Sequence, residues 1–294
     1  MAEVRDAIIL AGGVGTRMLP ASLFAPKEVL PLVDTPLINH LIWEAAKAGA
    51  TRVHLVLSQR KKSFLQQYID GSTVHGDDVR VDLPRESLLL GVEGVKIIPH
   101  VQTTAGGVAD AMAVAIKQVD GPFLVLLGDM LIMDRHVSPK KSGVNEASGA
   151  SLELVKMFEK TGIPSVGVCP VESKNVDKYG VVRLSGNQVL EIMEKPSESE
   201  APSNYVLCGR YILPSNTEEI LQKYPISQFG ELQFIHILSH LIDEGGLMAV
   251  KFNEMKMYDS GEPLNWLKSQ IDHALRREDY GNDLLEWIGS RMEE

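Results

Sequence analysis

The residues best suited to chemistry lie in the stretch 7–38, AIILAGGVGTRMLPASLFAPKEVLPLVDTPLI. We expect a buried strand at its start, then a glycine-rich loop that carries Arg17 and, after a proline, Lys27. Glycines allow backbone N–H groups to approach phosphate oxygens closely, and two fixed cations balance the phosphate charge. The pattern therefore predicts a phosphate-binding site.

Two common phosphate motifs do not account for this loop. A dinucleotide-binding fingerprint that starts at Gly13 needs glycine or alanine at position 18, where the chain has Met18. A P-loop that starts at Gly12 needs Gly-Lys at positions 17 and 18, where the chain has Arg17 and Met18. The loop therefore belongs to another class of phosphate site.

A carboxylate follows a second predicted strand. The apolar run FLVLLGD ends in Asp129. Ligands of open α/β sheets gather at the carboxyl ends of the strands, so an aspartate at this place is well positioned to hold Mg2+. Considered alone, Asp129 is explained equally well as a cap on the next turn.

The elements that position these residues follow from hydrophobic periodicity. Predicted strands at 7–11, 53–57, 95–99 and 123–129 alternate with predicted helices at 36–48, 59–69 and 106–119. This alternation indicates an α/β fold with a doubly wound, Rossmann-like, mostly parallel (mixed) sheet that is covered by helices. Residues 71–94 interrupt the pattern and are expected to form an irregular excursion.

The pattern after residue 129 is mixed. Strands are predicted at 165–171, 179–184, 188–195, 204–213 and 247–252, and helices at 145–162, 218–224 and 231–245. Two amphipathic helices are predicted from about residue 263. We therefore expect an α+β portion laid onto the first sheet, followed by C-terminal helices.

The composition excludes several classes of protein. The formal net charge of −10 disfavours a broad nucleic-acid surface or attraction to anionic lipid, so neither nucleic acid nor membrane is an expected partner. Neither a long apolar run nor a signal-like N-terminus is present, which predicts a cytoplasmic location. Cys169 and Cys208 lack the spacing of a zinc or redox motif and are expected to be reduced core residues.

The segment GGxGTRMLP followed by PKEVLPLVDTP resembles the sugar-nucleotide pyrophosphorylases, a family of nucleotidyltransferases. The resemblance is strongest to the bacterial type of UTP–glucose-1-phosphate uridylyltransferase, and glucose-1-phosphate thymidylyltransferases are similar. It covers about residues 5–270, is strongest at 8–38, and is poor at 71–94 and in the tail. It implies the Mg2+-dependent conversion of UTP and glucose 1-phosphate to UDP-glucose and pyrophosphate.

The resemblance also implies roles for residues on the nucleotide side. Arg17 would contact the triphosphate, and Lys27 would lie beside the reacting groups. Gln102 would recognise the pyrimidine edge, and the turn at Gly107 within GGVADA would pack under the base. The other nucleotide-binding residues that it implies are Leu10, Ala11, Gly12, Gly13, Gly15 and Thr16.

On the sugar side, the segments YGVV, MEKP and SNYVLCG carry the resemblance. They imply that Gly180 and Glu194 contact the sugar and that Lys195 binds the phosphate of the sugar 1-phosphate. Considered alone, Glu194 and Lys195 would be explained as a solvated charged pair at a strand end. The segment MYDSGEP implies that Asp259 joins Asp129 in metal coordination.

The chain departs from the family pattern at two places. Uridylyltransferases commonly have a lysine where this chain has Leu23, although thymidylyltransferases also carry an apolar residue there. A Thr-Asp pair of the uridylyltransferases is replaced by Ile235 and His236, and His236 is expected to pack on a helix face without a catalytic role. The first change bears on the choice of nucleotide more than on the type of reaction.

The chain has no internal repeat and no low-complexity linker, so we expect one compact unit with a catalytic domain at 1–262 and a C-terminal helical extension at 263–294. The nucleotide-binding part of the catalytic domain would reach about residue 130, and the sugar-binding part would follow it. The family also implies a homo-oligomer, a dimer or a tetramer.

Two alternatives stay open at this point. The first is another sugar-1-phosphate nucleotidyltransferase, with dTTP or a different sugar. The second is a catalytically silent regulatory subunit that binds sugar nucleotides. The retained Arg17, Lys27, Asp129, Lys195 and Asp259 argue against the second, because a module that only binds has little need for two metal carboxylates.

Overall fold

The fold is known from a computed structural model, which describes residues 3–69, 92–103, 106–230 and 233–293. Most of the predicted excursion at 71–94 therefore lies outside the described residues. The described strands are β1 (Asp6–Ala11), β2 (Pro31–Leu32), β3 (Thr35–Pro36), β4 (Arg52–Ser58), β5 (Lys96–Gln102), β6 (Phe123–Leu127), β7 (Met130–Met133), β8 (Ser165–Pro170), β9 (Gly180–Ser185), β10 (Gln188–Glu194), β11 (Tyr205–Leu213), β12 (Met248–Lys251) and β13 (Lys256–Asp259). The described α-helices are α1 (Ala21–Phe24), α2 (Leu37–Lys47), α3 (Gln59–Ile69), α4 (Gly107–Ala115), α5 (Ala150–Thr161), α6 (Thr217–Lys223), α7 (Ile226–Phe229), α8 (Gln233–Glu244), α9 (Pro263–Leu275) and α10 (Gly281–Met292).

Nine of these strands form one sheet, in the order β5-β4-β1-β6-β11-β8-β12-β10-β9. The first four strands in that order are mutually parallel, as their continuous apolar runs predict. β1 is central among them, with Ile9 opposite Leu55 of β4 and Leu126 of β6. The prediction of a parallel α/β unit in the first half is confirmed.

The second half differs from the prediction. Its strands are not laid onto the first sheet but extend it, because β11 pairs antiparallel with β6 on one side and with β8 on the other. β11 is buried almost throughout its nine residues, so its long apolar run suits an interior strand. β12 is parallel to β8, whereas β10 is antiparallel to both β12 and β9. The sheet is therefore parallel throughout its first four strands and mixed beyond them.

Two apolar cores cover the faces of this sheet. Side chains of β1 alternate between them: Ile9 packs in the core that contains residues of α2 and α5, and Ile8 packs in the core that contains residues of α4 and α8. Cys169 and Cys208 are buried free thiols in the first core, in agreement with their predicted role. None of the described helices has the length and apolar character to cross a membrane.

One predicted helix was too long at its start, and four short strands were not predicted. The helix expected at 145–162 begins at Ala150, after Gly149, and ends at Thr161, because the next residue, Gly162, has a positive φ of 68° that terminates it. The unpredicted strands form two small ladders, β2 with β3 and β7 with β13. Strands of two to four residues carry too little periodicity to be recognised from the sequence.

The C-terminal helix α9 is fastened to the segment that follows Lys27. Gln270 donates from Nε2 to the carbonyl of Pro31 at 2.7 Å and accepts from the backbone N–H of Val33 at 2.5 Å. Just beyond α9, Arg277 contacts Asp34 at 2.7 Å. α9 and the residues just after it therefore pack on the preceding part of the chain, next to the segment that follows the glycine-rich stretch.

A buried ion pair connects the sheet to α2. Nε of Arg210 on β11 lies 2.7 Å from Oε1 of Glu44 on α2, and both side chains are almost fully buried. Ser151 adds hydrogen bonds from its N–H and hydroxyl to the same oxygen. Arg210 also donates to the carbonyl of Met130 at 3.0 Å, so it braces the chain just after Asp129.

Replacing Arg210 with leucine should strongly destabilise the protein, because Glu44 would remain buried without its cationic partner. The expected loss is about 3–5 kcal/mol, measured by urea unfolding. The matched control is Arg183→Leu, which removes an exposed strand arginine paired with Glu191 at 2.9 Å and should change the stability little. Equal losses in the two variants would contradict this assignment.

Three histidines cluster where α9 meets α2 and the chain beyond β7. Nδ1 of His136 lies 3.0 Å from Nδ1 of His273, and His40 lies edge-on to His273. Burial, with a contribution from the positive charge of Arg277, lowers the pKa of His40 to about 4 and that of His273 to about 3. Burial, with a contribution from Arg276, lowers the pKa of His136 to about 4.

These lowered pKa values predict acid-sensitive stability. The unfolded chain takes up protons near pH 6.5 and the folded chain does not, so stability should fall as the pH drops from about 6.5 towards 4. We expect His40→Gln to lose less stability than the unaltered protein between pH 7.5 and pH 5, measured by urea unfolding midpoints. Identical losses in the two proteins would show that this cluster does not couple folding to pH.

Candidate active site

A cavity of about 440 Å³ lies at the carboxyl ends of the four parallel strands. Each of these strands contributes a residue at or near its end to the lining: Leu10 from β1, Ser58 from β4, Gln102 from β5 and Leu127 from β6. This is the place where open α/β sheets bind ligands. Gly12, Gly13, Lys27, Gly107 and Asp129 also line the cavity.

The glycine-rich loop is shaped by two close approaches. A Cβ at Gly12 would collide with Oε1 of Gln102, so a larger residue there would displace the end of that side chain. Gly15 has a φ of 73°, which favours glycine, and its carbonyl accepts a hydrogen bond from the Ser22 hydroxyl at 2.9 Å. Gly13 has open space around its Cα, so the packing of the protein itself does not require a glycine there.

A buried lysine that the sequence did not reveal holds this loop. Nζ of Lys61, on α3, donates to the carbonyls of Ala11 at 2.8 Å and Gly13 at 2.5 Å. It also contacts both carboxylate oxygens of Glu28, at 2.7 and 2.8 Å. Burial lowers the pKa of Lys61 and raises that of Glu28, and the attraction between the two groups opposes both shifts. Lys61 thereby ties the end of β1 to the segment that carries Lys27.

Lys27 forms an ion pair with Asp129. Its Nζ lies 2.6 Å from Oδ2 of Asp129, and the lysine is buried while the aspartate side chain is about one-third exposed. The two residues come from distant segments, which the parallel order of β1 and β6 brings side by side. The pair places a cation and a carboxylate together at the wall of the cavity.

The small ladder of β7 and β13 brings Asp259 to the same region. Asp259 lies opposite Met130 in this antiparallel pair, so it is one register position from Asp129. The backbone N–H and the hydroxyl of Ser260 both donate to the carbonyl of Asp129, at 3.0 and 2.9 Å. Oδ1 of Asp259 accepts the N–H of Gly261 at 2.7 Å. Two aspartates far apart in sequence are thus brought to neighbouring positions in the fold.

A second cavity of about 480 Å³ adjoins the first, and Asp129 lines both. Its lining brings together Arg17, Asp259, Gly180, Glu194 and Lys195, which the family resemblance had assigned to phosphate, metal and sugar contacts. Nη2 of Arg17 lies 3.3 Å from the point where a Cβ of Gly261 would stand. The side chain of Arg17 therefore lies close to the segment of Asp259.

The chain is strained at Lys195. This residue has a φ of 47°, which is uncommon for a residue other than glycine, and its N–H donates to the carbonyl of Tyr179 at 3.0 Å. Nζ of Lys195 lies 3.4 Å from Oε1 of Glu194. At Gly180 a Cβ would stand 3.1 Å from Oε2 of Glu194, so a larger residue would crowd that carboxylate.

Three of the residues that the resemblance implied do not line either cavity. Ala11 is buried and presents its carbonyl to Lys61, Gly15 supports the turn, and Thr16 is exposed on the loop. His236 stacks on Tyr224 at 5.8 Å between ring centroids, on the side of α8, as expected for a packing residue. Leu23 is 55% exposed beside the loop.

The second cavity also contains polar residues that the sequence did not single out. Tyr179, Glu262 and Asn265 share its lining with Asp259. Burial raises the pKa of Tyr179 to about 12, with contributions from the charges of Asp259 and Glu262. Glu262 and Asn265 lie at the start of α9, where neither spacing nor composition distinguishes them from ordinary helix-terminus residues.

The donor set around Asp129 suits Mg2+ that is shared with a substrate. No group of three or more histidine, cysteine, aspartate or glutamate side chains is placed to hold a metal ion in the described part of the chain. The carboxylates of Asp129 and Asp259 both belong to residues that line the second cavity. Mg2+ is commonly bound by one or two carboxylates, with substrate phosphates and water completing its octahedron.

Comparison with known proteins agrees with this geometry. A family model described as Nucleotidyl transferase matches residues 6–273. UTP–glucose-1-phosphate uridylyltransferase 2 of Staphylococcus saprophyticus is 30% identical over 298 residues, which cover 98% of each chain. The UTP–glucose-1-phosphate uridylyltransferase of Haemophilus influenzae is 29% identical over 295 residues, covering 96% of this chain and 97% of its own.

Solved structures agree as well. UDP-glucose pyrophosphorylase from Acinetobacter baumannii has a TM-score of 0.81 at 26% identity, covering 98% of this chain and 99% of its own. A UDP-glucose pyrophosphorylase complexed with UDP-glucose has a TM-score of 0.76 at 26% identity, covering 92% of this chain and 98% of its own. With the family match spanning most of its length, this chain belongs to the nucleotidyl transferase family.

Proposed function

We propose that the protein converts UTP and glucose 1-phosphate to UDP-glucose and pyrophosphate, with Mg2+. The observation that carries this proposal is the meeting of two cavities at Asp129, one at the ends of the parallel strands and one beside Lys195. A transfer between two phosphorylated substrates requires two such compartments that share a wall. The nucleoside triphosphate would occupy the first cavity and the sugar 1-phosphate the second.

The names of the relatives support this choice of substrates. Those from Staphylococcus and Haemophilus are UTP–glucose-1-phosphate uridylyltransferases, and one solved structure is a UTP-bound enzyme from Acinetobacter baumannii. Their similarity to this chain extends over nearly the full length of both proteins. UTP and glucose 1-phosphate are therefore the first substrates to test.

On the nucleotide side, the loop residues Leu10, Ala11, Gly12, Gly13, Gly15 and Thr16 would bind the triphosphate, while Gln102 and Gly107 would receive the base. Arg17 and Lys27 would supply the positive charge. Lys27 is suited to this role because it is buried against Asp129, where its charge is screened by water less than at the surface.

On the sugar side, Gly180 and Glu194 would contact the sugar, and Lys195 would hold its phosphate. The positive φ of Lys195 supports this role, because strained backbone geometry is often concentrated at functional sites. The proximity of Lys195 to Glu194 places a cation and a hydrogen-bond acceptor side by side. A sugar 1-phosphate presents the complementary groups, which are an anionic phosphate and hydroxyl groups that donate hydrogen bonds.

The proposed reaction is a direct displacement at the α-phosphorus. A phosphate oxygen of glucose 1-phosphate forms the new P–O bond, and the bond to the pyrophosphate oxygen breaks. The nucleophile is already ionised at neutral pH, so the protein aligns the reactants and stabilises charge, and no base is required. Lys195 orients the incoming phosphate, while Arg17 and Lys27 hold the triphosphate.

Asp129 and Asp259 would hold the metal. When bound, Mg2+ supplies positive charge that neutralises the phosphates during the transfer. The two hydrogen bonds of Ser260 to the carbonyl of Asp129 fix the two segments relative to each other, and the N–H of Gly261 holds the carboxylate of Asp259 within its own segment. This prior fixation reduces the reorganisation needed when the substrates arrive.

A second candidate function is transfer of the thymidylyl group from dTTP to a sugar 1-phosphate, with release of pyrophosphate, as in thymidylyltransferases. The observation that favours it is Leu23, an exposed apolar residue where uridylyltransferases commonly have a lysine.

The division into a catalytic domain at 1–262 and an extension at 263–294 is also proposed. α9 exposes Leu264, Leu267 and Ile271, which supports the proposal of a homo-oligomer because these side chains would be covered in one.

The function is tested by offering the purified protein UTP, dTTP, CTP, ATP and GTP, each with several sugar 1-phosphates. We expect Mg2+-dependent pyrophosphate release to be greatest with UTP and glucose 1-phosphate. Preference for dTTP would establish the second candidate. Binding of UDP-glucose without pyrophosphate release from any pair would instead favour a silent regulatory subunit.

The proposed charge contacts predict losses of activity without loss of structure. Lys27→Ala, Asp129→Ala and Lys195→Ala should each lower kcat by about 100-fold or more, by analogy with the removal of a preorganised oxyanion-hole donor. Circular dichroism should show that each variant is folded. The matched control is Lys178→Ala, which removes a cation from the lining of the second cavity. This variant should lower kcat less than the other three. Unchanged turnover in all three variants would refute the mechanism.

A further inference from the structure

The carboxamide of Gln102 is held between two neighbours at the wall of the nucleotide-side cavity. Its Nε2 donates to Oδ2 of Asp110, in the first turn of α4, at 2.7 Å. Its Oε1 lies against Gly12, where an added Cβ would collide with it. The family resemblance assigned a role to Gln102 but none to Asp110.

The acid at position 110 determines which way the amide points. A carboxamide has a donor end and an acceptor end, whereas a carboxylate only accepts hydrogen bonds. Asp110 therefore stabilises the orientation with Nε2 towards it. Rotating the amide by 180° would set Oε1 of Gln102 against Oδ2 of Asp110, which places two acceptors at hydrogen-bond distance.

We propose that Asp110 is a positioning residue that sets the base selectivity of the cavity. It holds Gln102 with its oxygen as the acceptor and with the second hydrogen of Nε2 as the donor. This arrangement fits a 2,4-dioxopyrimidine and rejects cytosine. The inference rests on the proposed function and names the class of base that the nucleotide carries.

The chemistry of the bases supplies the discrimination. Uracil and thymine present an N3–H donor beside the O4 acceptor, so N3–H donates to Oε1 while Nε2 donates to O4. Cytosine in the same position presents the N3 acceptor to Oε1 and its amino donor to Nε2, so both contacts are mismatched. An amide free to rotate would match either base, and the lock imposed by Asp110 removes that freedom.

The test is Asp110→Asn, which keeps the shape of the side chain but can donate as well as accept, so that both amide orientations are tolerated. We compare kcat/KM for UTP and CTP with glucose 1-phosphate, and in parallel the binding of both nucleotides by calorimetry. The unaltered protein should prefer UTP. The variant should lower the UTP:CTP ratio by about 10-fold or more, as expected for the loss of one bidentate base contact.

Two further variants make the result decisive. Asp283→Asn removes an exposed acid from the first turn of α10 and should leave the ratio unchanged. Asp110→Ser also removes the carboxylate and should lower the UTP:CTP ratio. It replaces Asp110→Asn in the test if the asparagine variant does not fold. Damage that is only structural would weaken UTP and CTP equally, so an unchanged ratio in a folded variant overturns the inference.

The outcome separates this inference from the proposed function. Failure of the unaltered protein to release pyrophosphate would refute the function, while calorimetry would still report its preference between UTP and CTP. Normal turnover with a UTP:CTP ratio that does not depend on residue 110 would refute only the role of Asp110. Preference for dTTP over UTP is compatible with this role, because thymine and uracil present the same edge to Gln102.

Discussion

The site depends on the pairing of β7 with β13. These two strands of four residues each place Asp259 opposite Met130, and Ser260 then donates twice to the carbonyl of Asp129. Asp129 follows the last parallel strand of the first half, whereas Asp259 precedes the C-terminal helices. The ladder therefore joins two segments that are far apart in sequence at the point where both cavities meet. The pairing of these two strands is what brings Asp129 and Asp259, which are distant in sequence, to neighbouring positions.

Buried charges around this ladder are paired with opposite charges. Lys27 pairs with Asp129, Lys61 with Glu28, and Arg210 with Glu44 while it also donates to the carbonyl of Met130. If one partner moved away, the other would be left as an unpaired buried charge, which is costly. Each partner therefore keeps the other in place. A chain with a net charge of −10 can in this way present local cations to anionic substrates, because those cations are fixed close to the site.

Local patterns in the sequence predicted the parts of the fold that depend on neighbouring residues. The apolar runs of β1, β4 and β6 and the alternation with helices indicated the parallel half correctly. The joining of β11 to β6 depends on a pairing between distant segments, which periodicity does not reveal. Lys61 lies in the run RKK, which is typical of a solvated helix face, yet it is buried against two carbonyls and Glu28. The partnership of Asp259 with Asp129 was expected only because of the family resemblance.

Asp129 and Asp259 are proposed to hold one metal ion together. A titration with Mn2+, followed by electron paramagnetic resonance in the presence of a non-hydrolysable UTP analogue, measures this binding. Asp129→Asn and Asp259→Asn should each weaken Mn2+ binding by about 10-fold or more. The double variant should be much less impaired than the product of the two single losses, because both residues act on one ion. Normal Mn2+ binding in Asp259→Asn would show that Asp259 does not hold the ion.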